Sequence, residues 1–507
     1  MSTFRCVPEI DPTFLALPAR ELASAALQRA TELGVDHADF RLERSRGARL
    51  RLRDGHLESS SDSEDVGLAV RVVHDGTWGF ASGIVRTAAA AVQLAEQAVE
   101  TAKVSRPLSR DPVVLAPEPA YPDATWVSSY DINPFDVPES ERVGRIAELA
   151  ERLMAADGVD HVDSYLFQVL ENKFYADTNG TMTTQQRVRL EAAFTAVNVD
   201  RAAGAFSSMR TLAPPAGRGW EYLVGTGWDW DAEVAELPGL LREHVKAPSV
   251  EPGVYDLVIH PSNLWLTIHE SIGHATELDR ALGYEAAYAG TSFATLDKLN
   301  SLQYGSPVMN VTGDRTIEHG LASIGFDDDG VAAQQFDIVK DGVLVGYQLN
   351  RQMAQAQGFG RSNGCALADS AGHIPIQRMA NVSLQPADDG PSVDELISRV
   401  ERGIYVVGDR SWSIDMQRFN FQFTGQQFHR IENGQLVGQL RDVAYQATTT
   451  DFWGSMEAVG GPQTWVLGGA FNCGKGQPGQ VAAVSHGCPA ALFRHVNILN
   501  TRSEAGR

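Results

Sequence analysis

The stretch LWLTIHESIGHATELDRAL, residues 264–282, has the apolar spacing of a helix and carries two histidines, His269 and His274, five positions apart. In a regular α-helix, residues four apart lie about 40° apart around the axis, whereas residues five apart lie about 140° apart. The two imidazoles therefore reach one metal ion only if the turn between them is widened into a π-bulge or broken. Gly273 precedes the second histidine and tolerates such a distortion. The stretch predicts an irregular metal-site helix, against the alternative of two ordinary core histidines.

A catalytic zinc site needs a third protein ligand and one open position, and cysteine is the soft candidate. Cys473 ranks first because it lies in the glycine-rich stretch GGAFNCGKGQPGQ, where the backbone can approach a metal closely. Lys475 nearby would favour the thiolate. Composition alone does not exclude Cys6, Cys365 or Cys488, and all four cysteines can also be ordinary buried or loop thiols.

The first half of the chain predicts helices packed on antiparallel sheet. Period-two stretches such as GARLRLRDG alternate with helical patterns. The helical patterns lie at residues 19–33, 86–104 and 138–157, and the hairpin-type dipeptides are Asp54-Gly55, Asp75-Gly76 and Asn179-Gly180.

The second half is rich in strand patterns. Hairpin dipeptides occur at Asp341-Gly342 and Asn433-Gly434, and residues 392–402 predict a short helix. The prolines and glycine of KAPSVEPG, residues 246–253, indicate a boundary. We therefore predict an α+β fold with an N-terminal α+β domain, residues 1–240. A mainly antiparallel β domain, residues 250–507, would carry the metal-site helix.

Composition limits the class of protein. The chain has 507 residues, 43% hydrophobic and 21% charged, as in ordinary globular proteins. Its net charge of −22 would repel a phosphate backbone, so nucleic acid is excluded as a partner. The sequence has neither an apolar run long enough to span a bilayer nor the pattern of a secretion signal at its start. Four scattered cysteines form no disulfide framework, which predicts a cytoplasmic protein.

Several stretches together resemble the TldD/PmbA family of zinc metallopeptidases. HESIGHATELD is similar to the family's H-E-x-x-x-H signature, and GFDDDGVAAQQFDIVKDGVLVGYQLNRQMA is similar to its D-D-x-G segment and following hairpin. RMANVSLQP resembles its M-x-N strand, and NCGKGQPGQVAAVSHGCPAALF resembles its C-terminal segment. The resemblance covers residues 254–500 closely and the first half more loosely.

The resemblance implies roles for four residues. His269, His274 and Cys473 match the zinc ligands, and Glu270 matches the catalytic glutamate. Because these residues are all present, the chain resembles the active, TldD-like subunit rather than the TldE or PmbA partners that lack the motif. Family members are dimers, either with such a partner or with a second copy. Their active site lies in a chamber that admits unfolded peptides.

We therefore predict zinc-dependent hydrolysis of amide bonds in unfolded or small peptides, inside a dimer chamber. Two alternatives stay open. The same zinc site can serve an amidase that processes a peptide-derived natural product. The chain can also be a non-catalytic regulatory or assembly subunit in which zinc only holds the fold, although such a site normally has four protein ligands.

Other polar residues have two interpretations each. Glu277 and Asp279 follow His274 at spacings that let a carboxylate orient an imidazole, or they belong to a solvated helix face. His373 and His486 either bind a developing oxyanion or are structural. The run Asp327, Asp328 and Asp329 lacks the spacing of an EF-hand calcium loop and predicts a turn between strands.

Overall fold

The fold is α+β, as the sequence predicts, in a computed structural model that describes residues 9–202 and 204–505. The helices are α1 Pro12–Leu15, α2 Ala19–Glu32, α3 Ala88–Ser105, α4 Glu139–Met154, α5 Trp230–Lys246, α6 Pro261–Ile268, α7 Leu278–Ala281, α8 Arg351–Ala356, α9 Val393–Ser398, α10 Thr449–Gly454 and α11 Thr501–Ala505. Within those described ranges, no helix has the length and apolar character needed to cross a membrane.

Strands make up most of the remaining regular structure. In the first half they are β1 His37–Arg53, β2 His56–His74, β3 Thr77–Gly83, β4 Ala124–Val127, β5 His161–Asp177, β6 Met182–Asp200 and β7 Ala205–Arg210. In the second half they are β8 Gly253–Ile259, β9 Val311–Asp314, β10 Gln335–Lys340, β11 Val343–Leu344, β12 Ala366–Leu367, β13 Ile376–Gln377, β14 Asn381–Leu384, β15 Arg402–Ile414, β16 Asn420–Glu432, β17 Gln435–Leu440, β18 Val443–Thr448, β19 Met456–Val459, β20 Val466–Lys475, β21 Gln480–Cys488 and β22 Ala491–Asn500.

The predicted hairpin dipeptides all lie between paired strands. They connect β1 to β2, β2 to β3, β5 to β6, β10 to β11 and β16 to β17. In the first of these turns Asp54 and Gly55 have φ values of 52° and 78°, the left-handed pair that a two-residue hairpin requires. The local turn chemistry therefore sets the register of these strands.

The N-terminal sheet has strand order β3-β2-β1-β5-β6-β4, and β7 pairs with the far end of β6 along the same edge as β4. Because side chains alternate along a strand, the even-numbered apolar residues of β1, β5 and β6 share one face. On that face Phe40 and Leu42 pack in a core that also contains apolar residues of α2 and α3. Leu166 and Phe194 pack in a second core with α4 and α5. The odd-numbered, largely polar residues face the second half of the chain.

The second half is built around a ring of strands. β15, β8, β22, β18 and β16 pair in that order, and the ring closes because β15 also pairs with β16. Next to it lie a four-stranded sheet, β11-β10-β9-β14, and the two-stranded sheet β20-β21. Helix α6 packs against β15, β20 and β21, so its C-terminal end lies beside the glycine-rich strand β20.

The break between the two sheets lies near the predicted boundary. Helix α5 runs past residue 240 and ends at Lys246, and the first strand of the second half begins at Gly253. The division into two domains, residues 1–240 and 250–507, stays a prediction.

Buried ion pairs join the two halves. Asp327, Asp328 and Asp329 lie in the predicted turn, which is flanked by a bridge between Phe326 and Ala332. The Lys173 ammonium on β5 lies 2.7 Å from an Asp328 carboxylate oxygen, and the Arg71 guanidinium on β2 lies 2.7 Å from Asp329. Asp328 and Asp329 therefore form ion pairs with basic residues of the N-terminal sheet.

Candidate metal centre

The helix irregularity predicted from the histidine spacing is present. Helix α6 ends at Ile268, a π-helical turn follows over His269–Gly273, and a 3₁₀ turn covers His274–Thr276. The His274 N–H donates to the His269 carbonyl, a hydrogen bond across five residues instead of four. The wider turn brings both histidines to one side of the chain, with their ring centroids 4.7 Å apart.

Gly273 is needed for a different reason from the one the sequence suggests. Its φ of −52° and ψ of −60° are ordinary helical values, so the backbone conformation does not require glycine. A Cβ atom at this position would lie 2.6 Å from the Met379 sulfur and 3.6 Å from the His486 ring. The glycine therefore makes room for the side chains that pack behind the metal centre.

We expect Gly273→Val to reduce both thermal stability and zinc retention. The branched side chain would overlap Met379, and overpacking of this kind costs about 1–3 kcal/mol. Zinc content after dialysis and the unfolding temperature are the measurements. Gly273→Ala is the matched control with a smaller effect, because the flexible end of Met379 can move away from one methyl group. A valine variant with wild-type zinc content and stability would contradict this role for Gly273.

The structure brings His269, His274 and Cys473 together. One possible ligand atom from each of these residues lies within 4.8 Å of the others, and all three side chains are buried. The Cys473 sulfur is 3.7 Å from Nε2 of His274. Two imidazoles and a thiol are a donor set suited to zinc. The three residues therefore fit a zinc ion, and their role as its ligands stays a prediction.

Of the other cysteines, two are described by the structure. The Cys488 thiol, at the end of β21, lies 3.7 Å from the Pro261 carbonyl oxygen and donates to it. Cys365 is buried near Arg315 and Asp327, and burial raises the pKa of its thiol to about 11. Neither belongs to the His269 group among the described residues. Cys6 lies outside the described residues.

Hydrogen bonds behind the two histidines set which ring nitrogen faces the thiol. Nδ1 of His274 lies 2.8 Å from a Glu277 carboxylate oxygen and donates to it. Nδ1 of His486 lies 2.8 Å from the Val382 carbonyl and must donate, so its Nε2 accepts from Nδ1 of His269 at 2.7 Å. Both His269 and His274 are therefore left with Nε2 as an unprotonated, ligating nitrogen.

Burial also keeps these imidazoles neutral. It lowers the pKa of His274 to about 3 and that of His486 to about 4, and it holds the pKa of His269 well below its usual value. Neutral imidazole is the form that binds a metal. His486 thus supports His269 from behind, which agrees with the structural interpretation. His373 pairs with Asp369 at 2.6 Å, at the protein surface.

A buried charged cluster lies behind His274. The Lys475 ammonium is 3.0 Å from Glu277 and 2.7 Å from Asp279. Glu277 orients His274, whereas Asp279 contacts the lysine, and the solvated-face alternative is wrong for both because both are buried. Lys475 is thus engaged by carboxylates. The sequence suggests that Lys475 favours the Cys473 thiolate. Burial has the larger effect and raises the pKa of the Cys473 thiol to about 11.

Glu270 has a partner that the sequence does not reveal. Its carboxylate forms a buried ion pair with Arg418, in the turn between β15 and β16. Burial raises the pKa of the Glu270 carboxyl, and Arg418 and Trp412 oppose that rise by favouring the charged form. A carboxylate with a raised pKa that is still held charged is suited to accept a proton near neutral pH.

The metal centre opens into a cavity of about 1320 Å³. One wall is the polar face of the N-terminal sheet, with Arg49, Phe167 and Glu171, and the other contains His269, Glu270, His274 and Cys473. Both walls come from this one chain. The cavity is larger than most small-molecule sites, which measure about 300–1,000 Å³.

Family profiles match most of the chain. Residues 252–500 match the PmbA/TldA metallopeptidase C-terminal domain, and residues 38–102 match PmbA/TldA metallopeptidase domain 1. The chain belongs to the TldD/PmbA family of metallopeptidases. The resemblance stated from the sequence is therefore confirmed.

Relatives within the TldD/PmbA family match over nearly the whole length. A metalloprotease of Methanothermobacter thermautotrophicus is 28% identical over 474 residues, which is 92% of this chain and 96% of the relative. The zinc metalloprotease TldD homolog of Saccharolobus solfataricus is 22% identical over 473 residues, 93% of this chain and 98% of the relative.

Two solved structures share the fold of this TldD/PmbA chain. A putative modulator of a DNA gyrase from Thermotoga maritima has a TM-score of 0.76 at 16% identity, over 95% of this chain and 100% of that one. TldE from Thermococcus kodakarensis has a TM-score of 0.70 at 15% identity, over 94% of this chain and 99% of that one. At these identities the likeness concerns the fold alone.

Proposed function

We propose that this TldD/PmbA chain is an active zinc metallopeptidase that hydrolyses amide bonds of unfolded or small peptides. One observation carries the proposal. The donor atoms of His269, His274 and Cys473 lie within 4.8 Å of one another at the wall of a large cavity, with the Glu270 carboxylate adjacent. A structural zinc site normally has four protein ligands, whereas the described residues offer three in this group.

His269, His274 and Cys473 would hold the zinc ion. When bound, zinc would supply Lewis-acid chemistry, because it polarises a carbonyl oxygen and makes water more acidic. The hydrogen bonds from His269 to His486 and from His274 to Glu277 hold both rings in the ligating tautomer. The Cys473 thiol must lose its proton to bind the metal, since the thiolate is the ligand.

Glu270 would move the proton during hydrolysis. Its carboxylate accepts a proton from the attacking water and then donates it to the amine that leaves. Arg418 fixes the carboxylate in place and keeps it charged, so that it is ready to accept. The peptide itself would enter the cavity in an extended form, because a folded protein does not fit a space of about 1320 Å³.

We further propose that the chain acts as a dimer, either with a second copy or with a TldE-like partner. The solved TldE chain shares this fold over nearly its whole length, and two chains of one shape often pair about a two-fold axis. Peptide hydrolysis is therefore measured with the chain alone and with a candidate partner.

Metal removal tests the proposed activity. We expect a chelator to lower the hydrolysis of short unstructured peptides at least about a hundredfold, and added zinc to restore it, because the metal supplies several kcal/mol of transition-state stabilisation. Product formation is followed by mass spectrometry, and circular dichroism of the chelated sample controls for unfolding. Peptide hydrolysis that is unaffected after complete metal removal would refute a zinc peptidase, as would zinc-loaded protein that cuts no peptide with or without a partner.

A further inference from the structure

Two arginines on the cavity wall share a single carboxylate. Glu171 on β5 lies directly opposite Arg187 on β6, and Arg189 is two residues further along the same face. Nη2 of Arg187 is 2.7 Å from one Glu171 oxygen, and Nη2 of Arg189 is 3.0 Å from the other. All three side chains line the cavity that contains the metal centre.

This group carries one positive charge in excess, although it is largely removed from solvent. Arg187 is 6% exposed and Arg189 is 7% exposed. Nη1 of Arg187 and Nε of Arg189 are buried without a hydrogen-bond partner among the described residues. Lys173, the next cation on β5, is already paired with Glu43 and Asp328. Among the residues that the structure describes, the two guanidinium groups therefore share one carboxylate and have no second anion as a partner.

The pKa values agree with an excess of positive charge. Burial and then the neighbouring Arg187 lower the pKa of the Arg189 guanidinium to about 9. Burial alone would raise the pKa of Glu171, but Arg187, Arg189 and, to a smaller extent, Lys173 hold it at about 2. An additional anion at this place would relieve the repulsion between the two guanidinium groups.

The arginine pair lies across the cavity from the metal centre. The Arg189 guanidinium lies 5.9 Å from the centre of the Phe471 ring. Phe471 precedes Cys473 by two residues on β20, in the stretch where the pairing of β20 with β21 shifts its register. The Phe471 ring also contacts Phe167, with their centroids 5.1 Å apart. Both the arginines and the metal centre line the same cavity, so a short extended peptide could contact them together.

We propose that Arg187 and Arg189 form a binding site for a carboxylate of the peptide whose amide bond lies at Glu270. Planar guanidinium forks match the two oxygens of a carboxylate, which is why arginine is suited to this task. The carboxylate comes from the C-terminus of the peptide or from an aspartate or glutamate side chain. This site rests on the proposed peptidase function, since it fixes which peptides are bound and how they are aligned.

Binding of three matched peptides tests the site without catalysis. A labelled short peptide is made with a free C-terminus and one internal glutamate, with a C-terminal amide, and with the glutamate replaced by glutamine. Fluorescence anisotropy measures their affinity for zinc-loaded Glu270→Gln protein, which binds without turnover. We expect loss of the recognised carboxylate to weaken binding about tenfold to hundredfold. If the C-terminal amide weakens binding, the recognised carboxylate is the C-terminus of the peptide. If the glutamine weakens binding, the recognised carboxylate is the glutamate side chain.

Variants of the arginine pair decide whether it is responsible. Arg189→Gln leaves the ion pair of Arg187 with Glu171 intact, so the fold is retained. We expect this variant to bind all three peptides with the same affinity. Arg189→Lys keeps the positive charge but loses the planar guanidinium, so it should retain part of the difference in affinity between the peptides. Arg49→Gln is the control, because it removes an arginine that stacks on Phe167 of the same wall, 4.4 Å from the ring centre.

Kinetics with the otherwise wild-type enzyme separate binding from chemistry. Arg189→Gln should raise KM for the carboxylate peptide about tenfold to hundredfold with kcat nearly unchanged. Equal affinity for all three peptides, no binding of any, or discrimination that persists in Arg189→Gln overturns the proposed site. Discrimination that depends on Arg189, in a protein that cuts no peptide, supports the site and refutes the peptidase function instead.

Discussion

Replacing Glu270 with glutamine is expected to lower kcat for peptide hydrolysis by about 10²–10⁴-fold while zinc stays bound. Glutamine has nearly the same size and its carbonyl oxygen can still accept from Arg418. It cannot take a proton from water, so the step assigned to Glu270 is lost. The zinc ligands are untouched, since none of His269, His274 and Cys473 is changed. Peptide turnover and zinc content are measured on the same sample.

Glu191→Gln is the matched control for this variant. Glu191 is a partly buried carboxyl on the same cavity, and burial raises its pKa as it does that of Glu270. It lies on the N-terminal sheet and contacts Tyr165 instead of the metal centre. The control should keep activity within a few-fold of wild type. Full activity in the Glu270→Gln protein would show that another group moves the proton.

Cys473→Ser is expected to weaken zinc retention more than about a hundredfold, because losing even a hydrogen-bond partner of a ligand costs about 10–100-fold in metal affinity. A serine hydroxyl is a hard and weakly acidic donor that does not replace a thiolate. Zinc content after dialysis against a chelator is the measurement, and loss of peptide hydrolysis should accompany loss of zinc.

A second cysteine on the same two-stranded sheet gives the control. Cys488→Ser changes a buried thiol that donates to the Pro261 carbonyl, and serine retains a donor at that position. This variant should keep its zinc. Zinc retained in Cys473→Ser would remove that residue from the ligand set, and zinc lost from both variants would point to damage to the sheet instead.

Much of the fold follows from local sequence pattern. The period of two in β1, the hairpin dipeptides and the helix ends depend on residues close together in the chain. The irregular turn between His269 and His274 was predictable for the same reason, because the spacing itself requires it. Cys473 could be ranked first because a glycine-rich strand can approach a metal, but its distance to the histidines depends on the packing of β20 against α6.

The parts that could not be predicted depend on contacts between distant residues. Arg418 lies 148 positions after Glu270, and His486 lies 217 positions after His269. Nothing in the local sequence of either residue indicates its partner. The role of Gly273 was wrongly explained for the same reason, since the side chain that needs its space, Met379, belongs to another segment. The Asn179-Gly180 dipeptide predicted a hairpin that includes β6, but not that one face of this strand lines a cavity.

The buried ion pairs between the N-terminal sheet and the acidic turn have a mechanical consequence. Moving the halves apart would separate Asp328 from Lys173 and Asp329 from Arg71, so both buried ion pairs would have to break together. These ion pairs therefore oppose a change in the spacing between the two walls of the cavity. A hinge between the walls would have to break these pairs, so we expect the width of the cavity to stay nearly constant when a ligand enters.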